Sequence, residues 1–83
     1  MNKDKVVFRT FKDGQVIALF CDTIKDGMVE SYMHIGQHSL ASINIIKDTK
    51  LAKKQEYVDL KTELILIGYN PKVMKKLINK KDK

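Results

Sequence analysis

Two histidines and one cysteine are the residues of this chain best suited to chemistry. His34 and His38 stand four apart in the run Tyr32-Met33-His34-Ile35-Gly36-Gln37-His38. Neutral imidazoles at that spacing share one face of a helix, and nearly so of a strand, which is how many metal sites begin. Cys21 could supply a third ligand if its strand neighbours that of His34, with Asp22 or Glu30 as a fourth. Such a site needs deprotonated ligands, so its affinity would collapse below the ordinary histidine pKa of about 6.5. The same residues could make a thiol enzyme, with Cys21 as nucleophile and His34 or His38 as its base. Neither pattern is complete. There is no Cys-x-x-Cys, no His-Glu-x-x-His frame and no glycine-rich turn after Cys21 to supply oxyanion donors. In the plainer account, His34 bonds backbone at a strand end, Gly36-Gln37-His38 makes a turn, and Cys21 is a small buried hydrophobe. The plainer account is favoured, and no cofactor is expected.

Charge suggests a second chemistry. The chain has 83 residues, enough for one domain, and a formal net charge of +6. Six lysines against one aspartate fall within residues 70–83, so most of that charge belongs to the C-terminal end. Lys72, Lys75, Lys76, Lys80 and Lys81 are the candidate anion-binding residues. Lysines hold anionic polymers through counterion release without reading sequence, and Arg9 is the only arginine available for bidentate recognition. Any nucleic-acid binding would therefore be nonspecific, and a solvated, solubilising tail is the simpler reading. Gly14, Gly27, Gly36 and Gly68 are isolated and cradle no phosphate, and the acids are too scattered for paired acid–base work. No apolar run reaches the roughly 18 residues of a membrane span, and the N-terminus lacks a signal core. A single cysteine forms no internal disulfide, which suits a reducing, cytoplasmic setting.

The elements that would position these residues follow from periodicity. Val6-Val7-Phe8-Arg9-Thr10-Phe11 and Val16-Ile17-Ala18-Leu19-Phe20 read as strands. Asp13-Gly14 between them predicts a hairpin with a type I′ turn. Asp22 to Gly27 is a polar connection, and Met28 to Ile35 is a third strand that ends at Gly36. Leu40 to Lys50 is ambiguous, since Ile43, Ile45 and Ile46 fit a short strand or one helical turn, and it is read as irregular. Lys53 to Ile67 is the helix, with Tyr57, Leu60, Leu64 and Ile67 on one stripe, a poor N-cap at Lys53 and a glycine stop at Gly68. The last segment has two readings: an edge strand to about Lys75, blunted by lysine, which is favoured, or a helix opened by Asn70-Pro71 with Val73, Met74, Leu77 and Ile78 at helical spacing.

The runs Val6-Val7-Phe8-Arg9, Val16-Ile17-Ala18-Leu19-Phe20, Tyr32-Met33-His34-Ile35-Gly36-Gln37-His38, Glu56-Tyr57 with Leu60, Glu63-Leu64 and Ile67-Gly68-Tyr69 resemble a group of small uncharacterised bacterial proteins often carried on mobile elements. The resemblance spans about Val6 to Val73. It implies no activity and no site residue. In that group a proline is usual where Cys21 stands, and Thr-Pro usually opens the helix where this chain has Ala52-Lys53-Lys54.

The expected fold is α+β: residues 1–75 form one domain, an antiparallel β-meander of three to four strands with one helix packed on one face, and residues 76–83 form a disordered basic tail. The helix stripe should meet Val7 or Phe8 with Ile17 and Leu19. The expected function is a non-enzymatic binding module, for a protein or an anionic partner. An uncovered sheet face would be free for that partner or for a second copy. The alternatives are a metal-binding or thiol-dependent enzyme on His34, His38 and Cys21, and a nonspecific nucleic-acid binder.

Overall fold

In the computed structural model, which describes residues 3–33 and 37–76, the two Asp-Gly pairs make different turns. Strands β1 (Asp4–Phe11) and β2 (Val16–Phe20) are joined by Lys12-Asp13-Gly14-Gln15, of which the first three form the loop that the Phe11–Gln15 hydrogen bond closes. The Gly14 N–H donates to the Phe11 carbonyl (2.9 Å) and the Phe11 N–H to the Gln15 carbonyl (2.8 Å). Gly14 takes φ +93° while Asp13 does not enter the left-handed region. This is a type I turn closed by a glycine bulge, not the expected type I′ turn, because Lys12 joins the loop. The two-residue turn comes at the second pair. Asp26 (φ +54°) and Gly27 (φ +78°) are both left-handed, and Lys25 and Met28 exchange hydrogen bonds of 2.9 and 3.0 Å. That turn feeds β3 (Met28–Met33).

The meander continues into β4 (Gln37–Ser42), which pairs with β3 from Met33↔Gln37 to Met28↔Ser42. Gln37 and His38 are therefore strand residues, not part of a turn, and the irregular stretch resolves into β4, a 3-10 segment over Ile43–Asp48 and β5 (Thr49–Leu51). Sheet pairing overrides the weak local propensity of this polar sequence. After helix α1 (Lys54–Leu66), β6 (Pro71–Met74) returns parallel to β1. The α+β class holds, but three to four strands is an undercount. The sheet has six strands in the order β4-β3-β2-β1-β5, with β6 also on β1. The long β1 lends one half of its outer side to β5 (Arg9 to Phe11) and the other to β6 (Asp4 to Val7). The Arg9 guanidinium secures this arrangement by donating to the Ile46 and Thr49 carbonyls and the Thr49 hydroxyl, at 2.7 to 3.1 Å.

Alternation sorts the strands into two apolar faces. Val6, Phe8, Ala18, Phe20 and Tyr32 meet Leu60 and Leu64 of α1, and the Tyr57 ring stacks on Phe8 at 4.6 Å. Ile17 and Leu19, expected under the helix, lie on the opposite face with Val29. That face is not the open surface expected from a single helix. Ile17, Leu19 and Val29 are buried there, with Phe11, Ile24, Met33, Ala41 and Ile45 packed against them. The segments around β3 and before β5 do what a second helix would otherwise do.

Both helix ends are built by neighbouring residues. Lys53 has no side-chain acceptor to cap with, and the Glu56 carboxylate compensates by accepting the Lys53 N–H (2.8 Å). At the other end the Gly68 N–H bonds the Ile65 carbonyl and the Tyr69 N–H bonds the Leu64 carbonyl, with Gly68 at φ +114°. This is the Schellman stop. It ends the helix at Leu66, so Ile67 leaves the buried stripe and is 50% exposed. No helix among the described residues is long and apolar enough to cross a membrane.

Candidate binding surface

The helix stop fixes where Tyr69 goes. Its position directly after Gly68 carries the ring back over the sheet, where it stacks on Phe20 at a centroid distance of 5.0 Å. His38 arrives from the neighbouring side. It pairs with Tyr32 across β3 and β4, and its ring stands edge-on to the Tyr32 ring at 4.7 Å. The His38 Nε2 and the Tyr69 hydroxyl are then 3.2 Å apart, within hydrogen-bond distance. Beneath them Tyr32 is buried, and its hydroxyl donates to the Glu63 carboxylate of α1. Tyr32, His38, Ile67, Gly68 and Tyr69 line an open depression of about 400 Å³. It presents an aromatic wall, an imidazole–phenol pair and an exposed aliphatic side chain. Such a surface can bury an apolar group and offer a hydrogen bond.

No lysine lines it, and the nearest charges are two carboxylates, Glu63 bonded to Tyr32 and Glu30 opposite Leu40. Between Met28 and Ile46 the only charged side chain is Glu30, in a chain that carries +6. Leu40, on the same side of β4 as His38, is 63% exposed, and Leu66 at the helix end is 79% exposed. Low charge with exposed aliphatic and aromatic groups is the compositional mark of a protein interface core, where lysine and glutamate are depleted.

The residues expected to form a metal or thiol site are not brought together. Cys21 is buried at the end of β2. His38 is exposed and aligns, through Tyr32, with Ala18 of β2. Two strand spacings and three residues of strand separate the two, on the order of 14 Å. His34 lies outside the described residues. Among the described residues no three His, Cys, Asp or Glu side chains cluster closely enough to hold a metal. Lys72 is on β6, Lys75 and Lys76 follow it, and Lys80 and Lys81 lie outside the described residues, as does nearly all of the expected tail.

A second depression, of about 450 Å³, is lined by Lys12, Lys47, Lys50 and Thr49 with Asp48 and Glu56. Its two carboxylates offset two of its three lysines. Glu56 is already engaged there: besides Lys53 it accepts from the Thr10 hydroxyl at 3.2 Å. The backbone hydrogen bond from Lys53, above all, holds its carboxyl below the ordinary value, helped by Thr10 and by the charges of Lys50 and Lys53 and opposed by partial desolvation.

Tyr69, Ile67 and Leu40 were not legible as site residues in the sequence. The usable signal was the glycine stop, since Gly68 places the next side chain back against the sheet. No family model, curated protein or solved structure matches this chain.

Proposed function

We propose that this chain is a non-enzymatic binding module that engages a protein partner at the β4 end of the sheet, through the depression formed by His38, Ile67 and Tyr69. The observation that carries this reading is the company these groups keep. The His38–Tyr69 pair and the half-exposed Ile67 border one open depression, beside a strand, Gln37–Ser42, that carries no charge. A catalytic role has less to support it: His38 faces a phenol, and the one cysteine is buried elsewhere.

Random peptides displayed on phage and selected on the immobilised protein test this reading. Selected peptides should shift the amide resonances of His38 and of residues 67–69, and Ile67→Lys should weaken them at least tenfold while leaving the fold intact. Peptides that map elsewhere, or that ignore Ile67→Lys, refute it.

A further inference from the structure

The two edges of the sheet are guarded unequally. At the β1 side the edge is split between two short strands, with Lys50 on β5 and Pro71 and Lys72 on β6, and Lys75 and Lys76 follow. Short strands, proline and lysine are the usual devices that stop an edge from pairing with another chain. At the other side β4 runs for six residues, Gln-His-Ser-Leu-Ala-Ser, with no charge and no proline. Its inward hydrogen bonds can be assigned by alternation. The Ile43 N–H donates to the Gly27 carbonyl at 2.9 Å, in register with Met28↔Ser42. The narrow pairs are then Val29↔Ala41, Ser31↔Ser39 and Met33↔Gln37, so the N–H and C=O groups of His38 and Leu40 point outward. Among the described residues no strand pairs with that side.

We propose that β4 pairs with β4 of a second copy, antiparallel about a two-fold axis perpendicular to the sheet, making one continuous sheet through a homodimer. The inference rests on the reading of this end as an interaction surface and names its occupant. An axis at Leu40 sets Leu40 against the partner copy's Leu40 and His38 against its Ser42, each pair on one face, and forms about six backbone hydrogen bonds. The exposed leucine is thereby covered. The charge pattern selects the occupant: the +6 chain meets itself only where it carries no lysine, so this contact opposes no like charges. The guarded far edge then prevents further strand addition, and the assembly closes at two copies.

Strand pairing alone buries less than a standard interface, so the dimer should be weak, with a dissociation constant in the micromolar range. Sedimentation of the full chain from about 1 μM to about 1 mM should show a monomer–dimer equilibrium. Over that range hydrogen exchange at the His38 and Leu40 amides should slow with concentration while the β6 amides do not change. Leu40→Lys removes the leucine contact and sets two lysines face to face at the axis, each partly offset by Glu30 of its own copy, and should weaken dimerisation about tenfold. The position is 63% exposed, so the monomer fold should survive with an unchanged circular dichroism spectrum. A monomer at every concentration, or a dimer indifferent to Leu40→Lys, overturns the proposal. Neither outcome touches the peptide-binding reading, which Ile67→Lys tests.

Discussion

Leu64 and Ile67 lie three residues apart on one helical stripe, yet the structure predicts that they differ in what they contribute. Leu64 is 0% exposed, packed with Phe8, Phe20 and Leu60 in the main core. Truncation to alanine removes three carbons from a fully dry site and leaves a cavity, which costs about 3 kcal/mol. A chain of this length has a total stability of roughly 4–12 kcal/mol, so Leu64→Ala should take a quarter or more of it. At about 4–8 °C per kcal/mol for a small domain, the midpoint of thermal unfolding should fall by about 12–24 °C. Ile67 sits beyond the Schellman stop with half its surface in water, so Ile67→Ala forfeits only part of a transfer term and opens no cavity, about 1 kcal/mol at most. Urea and thermal melts followed by circular dichroism measure both. Equal losses would refute the reasoning, because they would mean that the helix continues through Ile67 and buries it. The depression beside His38 would then be core, and the proposed function would lose its site.

Two further perturbations test how the surface is held in place. Arg9→Lys keeps the charge but not the planar fork that reaches Ile46 and Thr49, so it should cost about 1–2 kcal/mol and speed hydrogen exchange across residues 43–51, with β2 and β3 little changed. Glu56 tests the helix start through pH. Its folded carboxyl lies below the ordinary value, so its contribution is present above the unfolded pKa of about 4.3 and is lost as pH falls through the lower folded value. Glu56→Gln should lessen the acid-side slope of stability while leaving the neutral-to-basic side parallel to the parent, and an unchanged slope would show that the cap does not titrate with folding.

Legibility depended on whether a residue's neighbours in sequence were also its neighbours in space. The hairpin strands, the helix and the Gly68 stop are readable because each rests on local periodicity or on one glycine, whereas Pro71–Met74 fits a strand or a helix start and only its pairing with β1 decides between them. Val7 and Phe8 show the limit. Adjacent strand residues point to opposite faces, and only the register Phe8↔Ala18 tells which of them the helix covers. β4 was missed because Gln37 to Ser42 has no strong strand propensity; pairing with β3 makes it a strand. β5 is three residues long and exists because Arg9 and β1 hold it. The candidate surface was missed for the same reason, since Tyr69 and His38 are 31 positions apart and meet only after the helix has crossed the sheet.

The lysines look different once they are placed. Taken as composition, a net charge of +6 points to an anionic partner. Taken as positions, Lys50 and Lys72 stand on the two short strands that share the outer side of β1, with Lys75 and Lys76 just beyond, where an unguarded edge would invite aggregation. Edge protection accounts for these four without any ligand. The informative feature is then the strand that lacks them. Selection against edge pairing would have put a lysine at an exposed β4 position such as Leu40 at almost no cost to the fold, because that side chain is mostly in water already. An edge left bare where guarding it is nearly free is an edge whose pairing is tolerated or used. That is why a single charge at Leu40 separates the two cases more sharply than any truncation of the lysine-rich end.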